Sequence, residues 1–213
     1  MTDSSNADDD RTTVPPEAEE VLSFWFGALD AEGRASEATA ARWFKKDPAF
    51  DQELRDRFGA LHAAILAGER EDWLDGVRGS LAYVIVLDQF PRNMFRDTPG
   101  MFASDEQALR VALAAIETGG ERALALAERT FLYMPLMHSE ELHIQDRCVE
   151  LFAAFRDELD GESRQRVGQN HTFAEKHRDI IARWGRFPHR NGILGRESTP
   201  AEVEFLSLPG SSF

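Results

Sequence analysis

The stretch SLAYVIVLDQFPRN, from Ser80 to Asn93, decides the fold class. Its part from Leu81 to Leu87 is apolar on every side, which is typical of a helix buried in the centre of a protein. Val and Ile are also common in buried strands, so a strand is the alternative. Because no second run of this type exists to pair with it, we predict a helix.

Apolar residues recur at helical spacing through most of the remaining chain. The clearest stripes are Val21, Leu22, Trp25 and Leu29; Phe50, Leu54, Leu61 and Ile65; and Ile144, Cys148, Leu151, Phe152, Phe155 and Leu159. We therefore predict an all-α protein with about eight or nine helices joined by short loops. Residues 15–213 should form one domain, either a helical bundle or an irregular superhelix. Residues 1–14 are polar and acidic, and we predict that they are disordered.

Three sequence features predict where helices begin. Asp47 is followed by Pro48, which suits an N-cap and the first helical position. Ser104 with Gln107, and Thr199 with Glu202, have the spacing of capping boxes.

Composition excludes some classes of partner and site. The formal net charge is 24 − 38 = −14, which disfavours nucleic acid and anionic membranes as partners. Cys148 is the only cysteine and lies on an apolar stripe, so we expect a small buried side chain in a reducing compartment. The N-terminus does not resemble a signal peptide, and no apolar run is long enough to span a membrane. We expect a cytoplasmic protein.

Several polar residues occupy apolar positions. Asp88 follows Leu81 and Val84 at helical spacing, so its carboxylate should point into the core and needs a partner such as Arg92. Two interpretations remain open: an ion pair that fixes the structure, or an acid or base in a pocket. His177 and Gln145 also lie on apolar stripes. For His177, a hydrogen-bonded core residue is the alternative to a functional one.

The dipeptide Phe-Pro occurs at 90–91 and again at 187–188. Because proline disfavours helix in its own position and in the preceding one, we expect both dipeptides to end a helix in a stiff turn. Such turns would present Arg92, Arg186 and Arg190 to a carboxylate or phosphate. The alternative is that these arginines pair with carboxylates of the protein itself.

Metal and cofactor motifs are weak. Glu140 and His143 have the spacing of one half of a di-metal helical site, but no second such motif is present. No glycine-rich phosphate loop, nucleophile elbow or diagnostic Cys–His pair occurs. We predict no metal and no cofactor.

Five segments resemble the bacterial "domain of unknown function 924" family: LDQFPRN (87–93), FASD (102–105), YMPLMHSE (133–140), HRDIIARWGRFPHRNGILGR (177–196) and STPAE (198–202). The resemblance covers roughly residues 17–208. It implies a tetratricopeptide-like helical fold, although the 34-residue repeat signature itself is missing. It implies no activity, substrate or cofactor. The positions that match the family's motifs are Asp88, Gln89, Arg92, Asn93, His138, Ser139, Glu140, Gln145, His177, Arg178, Arg186, His189, Arg190 and Asn191.

Three functions are compatible with this sequence. In the favoured one, an interhelical pocket binds a small anionic molecule, with Asp88, His138, Glu140 and His177 as candidates for acid–base chemistry. The candidate ligand-binding residues are Gln89, Arg92, Asn93, Gln145, Arg178, Arg186, His189, Arg190 and Asn191. The second is a tetratricopeptide-like scaffold that binds a peptide or partner protein in a groove. The third is that the polar residues only lock helix ends together.

Overall fold

The computed structural model describes residues 14–211. Within them the α-helices are α1 (Pro16–Phe26), α2 (Glu37–Phe44), α3 (Pro48–Leu66), α4 (Val77–Val84), α5 (Phe90–Met94), α6 (Asp105–Glu117), α7 (Leu126–His138), α8 (Leu142–Asp157), α9 (Gly161–Trp184) and α10 (Pro200–Leu206). A π-helix spans Ile85–Gln89, and short 3-10 helices span Glu71–Asp75, Pro99–Phe102, Gly120–Ala123 and Pro188–Arg190. The described part of the chain contains no strand beyond one isolated bridge between Leu29 and Ala35. The predicted all-α class is confirmed.

One large apolar core joins helices α1 to α9. Its biggest fully buried side chains are aromatic, and they include Trp25, Trp73, Phe90 and Phe131. A second, smaller cluster is built from the end of α9 and the segment after it, with Ile180, Ile181 and Phe187 buried and Trp184 and Phe205 packed beside them. The predicted tail lies outside the described residues except for Val14, which packs against the large core.

The residues from Val77 to Met94 form one continuous helix, because α4, the π-helix and α5 follow one another without a break. The helix is buried along its centre, as predicted from its apolar run. The turn predicted at Phe90-Pro91 is wrong, since Phe90 has helical angles of φ −60° and ψ −43°. Two side chains donate hydrogen bonds to backbone carbonyls near the proline. Ser104 Oγ donates to Leu87 O at 2.6 Å, and Arg92 donates to Asp88 O. Leu87 O is the acceptor that the N–H missing from Pro91 would use in an α-helix.

The second dipeptide behaves as predicted. Gly185 ends α9 in the left-handed conformation, at φ 67°, and donates to Ile181 O. Phe187 is extended, at φ −88° and ψ 105°, and the 3-10 helix Pro188–Arg190 follows. The chain then passes over the end of α7. We call residues 185–211 the C-terminal segment.

All three predicted helix starts are confirmed, since α3 begins at Pro48, α6 at Asp105 and α10 at Pro200. Asp47 accepts hydrogen bonds from the backbone of Ala49 and Phe50, and Thr199 with Glu202 forms a capping box. The predicted capping box at Ser104 is wrong, because the Ser104 side chain makes no capping hydrogen bond and its hydroxyl donates to Leu87 O. None of the helices within residues 14–211 is both long and apolar enough to cross a membrane.

Candidate functional site

Five charged or titratable side chains meet where the π-helix, α5, the start of α6, the end of α7 and the C-terminal segment come together. They are Asp88, Arg92, Asp105, His138 and Arg190, and we call them the Asp88 cluster. Asp88 Oδ1 lies 2.7 Å from His138 Nδ1 and 3.2 Å from an Arg92 guanidinium nitrogen. Asp105 and Arg190 complete the cluster on the side away from the π-helix.

Asp88 and Gln89 are consecutive residues of the π-helix, and their side chains are bonded to each other. Gln89 Nε2 donates to Asp88 Oδ2 at 2.5 Å, and both side chains are buried. π-helical turns are frequent at functional sites.

Both arginines of the cluster are held in fixed orientations. Arg92 makes two bonds to the Asp105 carboxylate, at 2.9 and 3.1 Å. Arg190 donates to Asp105 at 3.4 Å and to His138 O at 3.0 Å. Its guanidinium carbon lies 4.6 Å from the Phe102 ring centroid and 4.5 Å from that of Phe187. Arg190 Nε is buried and makes no hydrogen bond to the described residues.

The end of α7 explains part of this arrangement. The last carbonyls of a helix lack partners within it. Here His138 O accepts from Arg190, while Gln145 Nε2 donates to Met137 O at 2.7 Å and to Ser139 O at 2.6 Å. Gln145 is thus buried as predicted, and its amide caps α7.

Electrostatics favour a neutral imidazole facing an ionised carboxylate. Burial raises the pKa of Asp88, but the Arg92 charge and His138 outweigh it and hold that pKa below its usual range. Burial and the Arg92 charge lower the pKa of His138. Burial and the same Arg92 charge also lower the pKa of Arg190 to about 10, so the cluster's carboxylates do not fully compensate this guanidinium.

The tautomer of His138 follows from these states. An ionised carboxylate only accepts hydrogen bonds, so Nδ1 carries the proton that is shared with Asp88. The lone pair is then on Nε2, for which the described residues offer no hydrogen bond. A neutral imidazole oriented by a buried carboxylate can accept a proton at Nε2.

Solvent reaches the cluster at three side chains. His138 keeps 15% of its side-chain surface exposed, Arg92 18% and Asp105 19%.

Two surface cavities occur elsewhere. One, of about 470 Å³, is lined by residues of α8 from His143 to Ala154, and the other, of about 160 Å³, lies between α2, α7 and α9. Neither is lined by a predicted site residue.

Glu140 lies beside the cluster and is engaged by the C-terminal segment. It accepts from Phe187 N at 2.8 Å and from both terminal nitrogens of Arg196 at 2.7 and 2.9 Å. Burial raises the pKa of Glu140, but these donors lower it overall. These hydrogen bonds from Phe187 and Arg196 to Glu140 hold the C-terminal segment against the end of α7.

The two other predicted histidines surround Phe187. His177 Nδ1 is 2.8 Å from Phe173 O, and its ring packs edge-on against Phe187. The ring centroid of His189 lies 5.5 Å from that of Phe187, at an interplanar angle of 42°. Burial lowers the pKa of His177 to about 3 and, with the Arg190 charge, that of His189 to about 4.

The remaining predicted residues do not join the cluster. Asn93 bonds to Gln89 O and Arg96, and Asn191 bonds to Ser198. Arg186 makes a two-pronged pair with Glu202, and Arg178 pairs with Asp146 at the surface. Pairing with the protein's own carboxylates was the alternative interpretation for such arginines.

Three residues at the site were not among the predicted ones: Phe102, Asp105 and Arg196. Phe102 and Asp105 lie within the segment FASD, and Arg196 ends the segment 177–196. Their position in these family-like segments was the sequence signal from which they could have been predicted. No group of three or more His, Cys, Asp or Glu side chains within residues 14–211 is arranged to hold a metal ion.

Comparisons with known proteins agree on the family. The model of a family described as bacterial proteins of unknown function, DUF924, matches residues 21–210. A solved structure of a protein of unknown function from Agrobacterium tumefaciens is similar, with 40% sequence identity and a TM-score of 0.73, covering 90% of this chain and 97% of that one. The functionally curated proteins include no match. The chain therefore belongs to the DUF924 family of bacterial proteins.

Proposed function

We propose that the protein binds a small anionic molecule at the Asp88 cluster, where His138 Nε2 accepts or donates a proton. The observation that carries this proposal is the 2.7 Å bond between Asp88 and His138 beside the buried Arg190 and the partly buried Arg92. A carboxylate that orients a neutral imidazole is a recurrent arrangement in acid–base catalysis. A neighbouring guanidinium can hold an anionic group within reach of the imidazole.

The charge of Arg190 supports the choice of an anion. This side chain is buried beside two aromatic rings, and its Nε–H meets no acceptor among the described residues. An acceptor oxygen at Arg190 Nε would satisfy that donor and add the compensating charge. Asp105 occupies other donors of both arginines, so the ligand would share or displace this carboxylate.

The test is a thermal-shift screen of small carboxylates and phosphates, followed by titration calorimetry. A ligand at 100 times its dissociation constant should stabilise the folded protein by about 2.7 kcal/mol. We expect Arg190→Gln to lose the shift, and Arg178→Gln, an exposed arginine paired outside the cluster, to keep it. For the proton-transfer role, His138→Asn should lose any turnover, whereas His143→Asn, which is exposed, should retain it. Equal shifts in the Arg190 and Arg178 variants would refute the proposed site.

A second candidate function is peptide binding by a tetratricopeptide-like scaffold. It is supported by the cavity of about 160 Å³, whose lining includes Trp43, Phe131 and Met134. Phe44 at its rim is 73% exposed. An aromatic-lined groove with an exposed ring suits an apolar side chain of an extended peptide.

Peptide display on the wild-type protein tests this candidate. Selected peptides should lose binding to Phe44→Ser and keep binding to Leu208→Ser, a matched removal of an exposed apolar side chain elsewhere. Binding that is unchanged in the Phe44 variant would exclude the groove. For either function we infer a cytoplasmic location, supported by the single, buried cysteine.

A further inference from the structure

The Asp88 cluster is formally neutral before any ligand arrives. It holds two cations, Arg92 and Arg190, and two anions, Asp88 and Asp105, around a neutral His138. The adjacent pair of Glu140 and Arg196 also sums to zero. A ligand anion would therefore bring one uncompensated negative charge into a largely buried site, which is unfavourable in a medium of low dielectric constant.

A proton on His138 would remove that excess. The protonated imidazole would face Asp88 at 2.7 Å, so the new charge would already have a partner in place. Its Nε2 would become a donor directed at the ligand, instead of a lone pair that repels it. Binding of one negative charge and uptake of one proton would thus restore neutrality.

We infer that the ligand is a small carboxylate monoanion and that it binds together with one proton, which is taken up by His138. This inference rests on the proposed function, because it concerns the ligand of the same site. A dianion would require a second proton. Arg190 Nε, which is buried and meets no acceptor among the described residues, offers a bond to a carboxylate oxygen.

The groups that face His138 identify it as the proton acceptor. They are Asp88 from the π-helix, Arg92 from α5, Asp105 from α6, His177 from α9, and His189 and Arg190 from the C-terminal segment. His177 and His189 pack against Phe187, whereas His138 is bonded to the Asp88 carboxylate, which would stabilise its protonated form. Burial and the Arg92 charge lower the pKa of His138 in the free protein, so its imidazole can take up a proton when an anion binds.

The experiment compares acetate, benzoate and sulfate between pH 6 and 8, where none of the three changes its charge. Calorimetry gives the dissociation constant at each pH, and a pH-stat titration gives the protons taken up per ligand bound. We expect carboxylate affinity to fall by up to about tenfold per pH unit as the pH rises, with nearly one proton taken up. Sulfate should bind more weakly than either carboxylate throughout.

Two variants test the assignment to His138. His138→Asn should bind acetate with an affinity that does not change with pH, whereas His143→Asn should behave like the wild type. Asp88→Asn removes one negative charge, so it should bind acetate without proton uptake and lose the weakening at pH 8. Circular dichroism establishes that each variant is folded, and the wild-type measurement needs no variant.

The outcomes separate the two proposals. Carboxylate binding at Arg190 without proton uptake, or tighter binding of sulfate, would overturn this inference and leave the proposed function standing. Proton uptake that persists in His138→Asn would overturn the assignment of the proton. Absence of binding by all three anions and by the wider screen would overturn the proposed function itself.

Discussion

Phe90 and Phe187 each precede a proline and are both fully buried, but their surroundings differ. Phe90 belongs to the large core, where its ring centroid lies 6.3 Å from that of Phe24, 5.8 Å from Trp25 and 4.9 Å from Phe58. This neighbourhood is aromatic, and apolar packing of this kind has little dependence on pH because none of these rings titrates.

Phe187 belongs to the small cluster and is surrounded by groups that titrate or carry charge. His177 and His189 lie 5.6 and 5.5 Å away between ring centroids, and the guanidinium of Arg190 is 4.5 Å away. Its backbone N–H is held by Glu140. The same dipeptide is therefore held by apolar packing in one place and mainly by titratable and charged groups in the other, and we expect a change of pH to act mainly on the second.

The largest expected effect comes from the carboxylate next to the first dipeptide. Asp88→Ala should lower the free energy of unfolding by about 3–5 kcal/mol, because it removes the buried partner of Arg92 and His138. Urea unfolding measures the change. Asp146→Ala, which breaks the exposed pair with Arg178, should leave the midpoint unchanged. Equal effects of the two substitutions would show that the Asp88 pairing contributes nothing specific.

The second prediction concerns pH. Because the folded pKa of His177 is about 3, its neutral form stabilises the protein fully above the unfolded value near 6.5. That contribution is lost as the pH falls, by about 2 kcal/mol between pH 6.5 and 5. His177→Gln should flatten this part of the unfolding profile, and His143→Asn should not. As the pH is lowered, amide exchange, corrected for its intrinsic rate, should accelerate at Phe187 at a higher pH than at Phe90. Loss of protection at the same pH in both places would contradict this prediction.

The third prediction concerns a substitution that should destabilise the surroundings of Phe187 and leave those of Phe90 unchanged. Glu140→Gln weakens the charged acceptor shared by Phe187 N and Arg196, so we expect a loss of about 1–2 kcal/mol. Exchange of the Phe187 amide should speed up while that of Phe90 stays protected. Glu141→Gln is the matched control, because that side chain is 65% exposed. A global change in exchange would mean that the C-terminal segment is not a separate unit.

The smallest effect concerns the first proline. Ser104→Ala removes the hydroxyl that donates a hydrogen bond to Leu87 O, and it should destabilise the protein by about 1 kcal/mol. Pro91→Ala supplies a backbone N–H, so the cost of Ser104→Ala should be smaller in that background than in the wild type. Pro188→Ala should not change it. A double-mutant cycle measured by urea unfolding gives the coupling, and zero coupling would separate Ser104 from the proline.

The difference between the two dipeptides was partly visible in the sequence. Gly185 stands two residues before Phe187 and adopts the left-handed conformation that ends a helix, whereas the residue two positions before Phe90 is Asp88. Proline alone led to the wrong prediction at 90–91. A buried helix can retain a proline when other groups satisfy the freed carbonyl, and Ser104 does so here from 17 positions away.

The candidate site was less predictable than the fold. The burial of Asp88 followed from its spacing to Leu81 and Val84, which is local information. The approach of Arg190 to Asp105 joins positions 85 residues apart, and no local pattern encodes it. Arg186 had the same sequence setting as Arg190 but meets Glu202, because pairing depends on which helix ends come together in three dimensions.

The π-helix at Ile85–Gln89 also bears on how this chain can vary in length. A π-helical turn holds about one residue more than an α-helical turn, so removing one residue there would let the segment close as ordinary α-helix while the helix on either side keeps its phase. We therefore expect a one-residue deletion at these five positions to leave the apolar core in register and to change only the placement of Asp88 and Gln89.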